Sequence, residues 1–180
     1  MNKFFISDTH FGHEKIIEYC NRPFKDVDEM DYTIIRNWNQ RIKKEDLIII
    51  NGDFVLDKSK VASNSRDYDY YYNQLNGHKI FICGNHDYTN ESKSIIESMV
   101  INYGGYRIYI THNPKFAKKE FKWNFCGHLH GKYGKFIRLS EDSIIVDLSV
   151  DIWNFMPVTI NEIFSAFAKW LKEEKNGKTK

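Results

Sequence analysis

Lys3-Phe-Phe-Ile-Ser-Asp-Thr-His10 is a short apolar run that gives way at once to a carboxylate and an imidazole, and four further stretches repeat the pattern. Leu47-Ile-Ile-Ile50 runs into Asn51-Gly52-Asp53, and Lys79-Ile-Phe-Ile-Cys83 into Gly84-Asn85-His86-Asp87. Arg107-Ile-Tyr-Ile110 leads to Thr111-His112, and Asn124-Phe-Cys126 to Gly127-His128-Leu129-His130. Such runs read as strands ending in polar turns. Because α/β sheets carry their chemistry just beyond the carboxyl ends of strands, the five ends are expected to converge on one pocket.

Asp8, His10, Asp53, Asn85, His112, His128 and His130 offer carboxylate, amide and imidazole groups. That donor set suits borderline divalent ions: Mn²⁺, Fe²⁺, Ni²⁺ or Zn²⁺. Seven ligands are too many for one tetrahedral ion and enough for two if one carboxylate is shared. Two ions about 3.5–4 Å apart form a clamp for in-line displacement at phosphorus. A structural zinc site would be closed and built mainly of thiolates, so catalysis is the better reading. In Asp8-x-His10 and His128-x-His130 the two-residue spacing puts both ligands on one face of extended chain. Gly52, Gly84 and Gly127 precede ligand segments, where a residue without Cβ eases a tight turn. Each motif alone is common; the order and context of all five carry the argument.

Taken in that order, the motifs resemble the calcineurin-like metallophosphoesterase superfamily over Lys3 to about Asp151. Gly84-Asn-His-Asp87 and Gly127-His-x-His130 are the most specific elements. Ser7 to Ile17, Asn21-Arg-Pro-Phe24 and Val150 to Val158 resemble a small bacterial and phage branch of it. The resemblance implies an α/β fold, a four-layer sandwich of two mixed β-sheets flanked by helices. It implies Asp8, His10, Asp53 and His130 at a first metal, and Asp53, Asn85, His112 and His128 at a second, with Asp53 as the bridge. It implies His86 as the catalytic imidazole beside the leaving-group oxygen. The large protein phosphatases orient that imidazole with an acidic residue three positions after the bridge. Leu56 stands there and Asp57 follows, so either Asp57 acts from a shifted loop or another group holds His86. The basic extension of that motif is absent too, which argues against a phosphoprotein phosphatase.

The expected activity is therefore hydrolysis of phosphate esters, diesters foremost, by in-line attack of a metal-bound hydroxide. A nuclease or cyclic-nucleotide phosphodiesterase is the narrower alternative; it needs a base pocket, for which the tyrosines between Tyr68 and Tyr72, Phe116, Trp123 and Trp153 are candidates. A non-catalytic interaction scaffold is the alternative of another class, disfavoured because His86 and all seven ligands are present. The expected partner is a small phosphate ester, nucleotides included. His13 and Arg22 follow the first motif and are expected on the pocket rim, binding non-bridging phosphate oxygens, Arg22 in bidentate fashion. Their structural alternatives are a hydrogen bond at a helix start and an exposed side chain before Pro23.

At 180 residues the chain is expected to form one domain, with 172–180 as a frayed tail. A net charge of +2 makes no strong case for nucleic acid. Cys20, Cys83 and Cys126 are odd in number and widely spaced, which suggests reduced thiols in the cytoplasm. A strand starting almost at once leaves no room for a signal peptide, and no apolar run reaches the roughly 20 residues of a membrane span. Helices are expected over 14–20, 28–41, 66–75, 91–99 and 160–171, a loop over the polar stretch from 57, and further strands at 106–110, 123–126, 135–139 and 143–148.

Overall fold

Alternate residues of the first strands face opposite ways, and that alternation divides the interior into two cores. The protein is described by a computed structural model covering residues 1–56, 66–87 and 94–177. Strands β1 (Lys3–Ile6), β2 (Leu47–Asn51) and β3 (His78–Ile82) pair in parallel, with Phe4 opposite Ile48 and Phe5 opposite Ile49. Phe4, Ile6, Ile48 and Ile50 turn towards Ile16 of α1 (Glu14–Tyr19) and towards Met30, Ile34 and Trp38 of α2 (Val27–Arg41). Asp26 starts α2 by accepting a hydrogen bond from Glu29 N, which satisfies an otherwise unpaired amide of the first turn. Phe5 and Ile49 face the other way, into the second core.

That second core lies against a five-stranded sheet in the order β4-β5-β6-β8-β7. Its strands are β4 (Ser98–Tyr103), β5 (Tyr106–Thr111), β6 (Trp123–Cys126), β7 (Phe136–Arg138) and β8 (Ile144–Asp147). β5, β6 and β8 run parallel and the two outer strands antiparallel. Phe5 meets Phe125 edge-on at 5.2 Å between ring centres. The two-residue strand β9 (Val158–Thr159) adds to β1 in antiparallel fashion and opens α4 (Ile160–Lys175) through a capping box of Thr159 and Glu162. The apolar stripe of α4 lays Phe164 and Phe167 on Trp123, and Trp170 on Phe136. Phe164, Phe167 and Trp170 are only partly buried, so each contributes less than the roughly 1.5–3 kcal/mol of a fully buried large apolar side chain. The architecture is the expected one: α/β, two mixed sheets flanked by helices. Among the described residues no helix is long and apolar enough to cross a membrane.

Three expectations need correction. The helix over 91–99 is absent from its described part; 94–97 is not helical and β4 begins at Ser98. Met99, Ile101 and Tyr103 pack into the second core while Ser98, Val100 and Asn102 alternate with them, a strand period that hides behind the preceding Ile95-Ile96. The tyrosine helix is only α3 (Tyr68–Tyr72), shorter than 66–75. The tail is ordered further than expected: α4 keeps its last turn to Lys175, where Glu174 pairs with Arg138 of β7. Residues 178–180 of that tail, 91–93 of the expected helix and 57–65 of the expected loop, Asp57 included, lie outside the described residues.

The carboxyl ends of β1, β2, β3, β5, β6 and β8 all open on one edge of the molecule. Ser7 and Ser149 join the two sheets there by a parallel bridge, with Ser7 N donating to Leu148 O at 3.1 Å and Val150 N to Ser7 O at 3.0 Å.

Candidate metal centre

Backbone conformation marks this edge before any side chain is considered. Asp8, His10, Asp53, His128 and His130, five of the seven expected ligands, have φ between 49° and 71°, in the left-handed region. Non-glycine residues seldom occupy it, and they cluster at functional sites. The chain therefore does not present Asp8 with His10, or His128 with His130, from extended backbone; paired left-handed turns bring both to the same pocket instead. Hydrogen bonds hold these turns: Asp8 N donates to Gly52 O, His10 N to Asp53 O and Phe11 N to Phe54 O, at 2.9–3.1 Å. The three glycines are there for close approach. A methyl group at Gly84 would overlap the Asp53 carboxylate and amide, one at Gly127 the Ser7 hydroxyl, and one at Gly52 the His112 ring.

The ligand atoms fall into two groups. Asp8, His10 and His130 place one donor each within 4.8 Å of one another, and so do Asp53, His112 and His128. Asp53 Oδ2 lies between the groups, 3.6 Å from His10 Nε2 and 3.3 Å from His112 Nε2. Asn85 Oδ1 closes the second group, 3.1 Å from His112 Nε2 and 2.7 Å from His128 Nδ1. Donors bound to one ion at about 2.1 Å sit about 3 Å apart at neighbouring corners of its coordination sphere, so these spacings suit a cation at each group. His10 Nε2 makes the same point: it is buried and has no hydrogen-bond partner. The residues fit two divalent ions.

Electrostatics agree. Burial opposes charge on His112, but the Asp53 hydrogen bond and the Asp8 and Asp53 carboxylates outweigh it and raise its pKa to about 9. His130 is likewise raised against burial, through Asp151, Cys20 and Asp8. Asp53 is held far below the usual carboxylate range: burial works against this, and His112, His10 and the His86 amide prevail. His10 and His128 go the other way, lowered first by burial, so it is the imidazoles set against Asp8, Asp53 and Asp151 that hold positive charge.

A second layer fixes these ligands, and sequence reading missed most of it. From the last residue of β8 onward, Asp147-x-Ser149-x-Asp151 turns a polar residue to the site at every second position. Ser149 Oγ donates to Asp8 Oδ2 at 3.0 Å, and Asp147 accepts from Gly131 N and Ser149 N. Asp151 accepts from His130 Nδ1 at 2.9 Å, turning Nε2 towards Asp8. Asn51 O does the same for His112 Nδ1 at 2.7 Å. Asp87 ties two ligand turns together, accepting from Asp53 N and Gly84 N at 2.8 Å. The signal was an alternating polar pattern directly after the Ile144-Ile-Val146 run.

His86 is exposed, 5.4 Å from His10 between ring centres, and its amide donates to Asp53 Oδ1 at 2.9 Å. His13 is half-buried, with its Nδ1 3.4 Å from His10 Nδ1, and its pKa falls to about 4, through burial first and then the neighbouring charges of His86 and Arg22. Arg22 does not stand on the rim. It is 5% exposed, and its five N–H donors all have acceptors: both Asp151 oxygens, Thr9 O, Asp8 O and Met30 Sδ. The expected bidentate clamp is thus made to Asp151, and no donor remains for phosphate. Of the candidate base-stacking residues, Trp123 and Trp153 are buried in the second core, whereas Phe116 is exposed beside Asn85 and His112.

Residues 1–179 match the family described as calcineurin-like phosphoesterase. An uncharacterised protein of Methanocaldococcus jannaschii is 37% identical over 171 residues, which cover 92% of this chain and 91% of that protein. The gene 66 protein of Mycobacterium phage L5 is 33% identical over 86 residues, 48% of this chain and 40% of that protein. In fold, the chain is similar to a protein of unknown function from Aquifex aeolicus: the TM-score is 0.68 at 24% identity, covering 91% of this chain and 98% of that one.

Proposed function

Because the chain belongs to the calcineurin-like phosphoesterase family, we propose that its convergent edge hydrolyses phosphodiesters with the help of two divalent ions. Asp8, His10, His130 and Asp53 would hold one ion, and Asp53, Asn85, His112 and His128 the other. Bound there, the ions would supply Lewis-acid activation of water and neutralisation of phosphoryl charge. The observation that carries the reading is Asp53 Oδ2, set between two histidine nitrogens, one of them buried without a partner.

The chain's own residues supply the rest. His86, exposed at the mouth, would protonate the leaving-group oxygen. His13, packed on His10, would contact the bound ester. With Arg22 turned inward, the described residues offer the pocket no bidentate cation of the kind that suits a dianionic monoester, which supports the monoanionic diester. A non-catalytic scaffold has no need of an exposed imidazole beside a complete ligand set. Cys20, Cys83 and Cys126 are thiols, which supports a reducing compartment, the cytoplasm.

Elemental analysis of metal-reconstituted protein tests the core of this reading. Two ions per chain are expected, Asp53→Ala should lose both, and His10→Ala should mainly lose the first. One ion or none in the wild type overturns the two-metal site. With chromogenic diesters, His86→Ala should retain its metals and lose turnover, less so as the leaving group becomes more acidic. An equal loss on good and poor leaving groups would remove His86 from proton transfer.

A further inference from the structure

A groove of about 400 Å³ opens directly from Asn85 and His112. Sites that bury small organic ligands span about 300–1,000 Å³, so the groove has room for more than a phosphate. Its outer wall is the turn after β5, which is fixed by its own hydrogen bonds. Asn113 Oδ1 accepts from Lys115 N at 3.0 Å, and Lys118 N donates to Asn124 Oδ1 at 2.7 Å. The Asn124 amide in turn donates to the Lys118 and Phe121 carbonyls. Lys115, Phe116 and Lys118 therefore project from an anchored backbone.

Among the described residues these side chains are held by little more than two ammonium–ring contacts. Phe116 is 57% exposed, an apolar ring in water beside a polar centre. The Lys115 ammonium sits 4.7 Å from the Phe116 ring centre, and that of Lys118 4.7 Å from Tyr109. Among the described residues neither lysine pairs with a carboxylate. Glu97 is the acidic residue of the lining, so the two ammoniums outnumber it.

We propose that this groove is a subsite for a nucleotide carrying a phosphate besides the one held at the metal centre. The base lies on Phe116 and the distal phosphate between Lys115 and Lys118. The position of the first phosphate rests on the phosphoesterase reading. Every base offers a π-face to an aromatic side chain whatever its identity. Lysines meet phosphate as point charges, whereas a neutral alcohol would leave both ammoniums unmatched.

The test is calorimetric titration of the Mn²⁺-loaded protein with adenosine 3′,5′-bisphosphate, adenosine 5′-monophosphate and inorganic phosphate. The bisphosphate should bind about tenfold tighter than the monophosphate, a gain of the size that charge-assisted contacts supply. The Lys115→Ala/Lys118→Ala double variant should lose that gain. Phe116→Ala should weaken both nucleotides about fivefold or more and leave inorganic phosphate unaffected. Equal affinities for the two nucleotides, or a gain that survives in the double variant, overturn the proposal. Nucleotide binding through these residues without cleavage of bis(p-nitrophenyl) phosphate would keep the subsite and refute the phosphoesterase reading. Cleavage of that diester without nucleotide binding would do the reverse.

Discussion

Arg22 shows how one buried side chain can govern a proposed metal ligand it never touches. Its guanidinium holds the Asp8-Thr9 backbone and both oxygens of Asp151, and Asp151 sets the His130 ring. Partners of this kind change metal affinity about 10–100-fold when altered. Arg22→Lys keeps the charge but loses the planar fork, so chelator competition should show the first site weakened within that range and the second much less. Equal weakening of both sites, or of neither, would count against a positioning role. Arg22→Ala should also destabilise the fold by about 1–3 kcal/mol, because it takes the donor from the buried Asp8 and Thr9 carbonyls and leaves Asp151 only its bond from His130. Gly84→Ala should abolish binding at both sites, since its methyl group displaces the shared Asp53 carboxylate; full metal content would contradict that. The convergence of the proposed ligands was legible in the sequence because each follows a strand within a few residues. The role of Arg22 was not, because Asp151 lies 129 positions away and no local pattern announces that pairing.

Among the elements, α3 is short and yet pinned at one point. Tyr71 stacks on Phe11 at 4.7 Å, and its hydroxyl donates to Asp31 of α2 at 2.6 Å. Asp31 also accepts from Gly12 N, so one carboxylate joins α2, α3 and the turn after His10. Burial raises its pKa from 3.8 to about 6, with the bonds from Tyr71 and Gly12 opposing the rise. A folded value above the unfolded one means that this group's stabilisation is complete below pH 3.8 and is lost as pH climbs through about 6. Tyr71→Phe removes a donor to the charged form, so it should cost about 1–3 kcal/mol at neutral pH and less below pH 4. Denaturant melts at both pH values would check this, and an equal loss at both would show that Asp31 stays neutral throughout. Most elements could be read from periodicity, but β4 could not, because an edge strand with exposed Ile95 and Val100 nearby lacks clean alternation. The better cue was Gly104-Gly105, both with positive φ, the two-residue turn that closes the β4–β5 hairpin. β9 is too short to leave any pattern.

Across the whole molecule, two sheets and six strand ends are organised around a pocket in which two imidazoles, His112 and His130, hold their protons firmly. Because His112 and His130 are both raised, loading must displace their protons. Metal affinity should therefore fall in acid and rise with pH through about 9, where His112 loses its proton, until His130 has lost its own at about 11. Calorimetry in buffers of different ionisation enthalpy should register the protons released, and a pH-independent affinity would contradict the reading. The left-handed ligand turns have a further consequence, for engineering. Each non-glycine residue in that region costs about 1–2 kcal/mol relative to a comfortable backbone. Glycine would relieve the cost and bring no ligand. In the metal-free state His128→Gly should therefore melt above His128→Ala, although both lose the same imidazole. Equal melting temperatures would mean that the turn is unstrained. If the order holds, a design procedure that optimised only the empty fold would start by replacing the residues proposed to bind the metals.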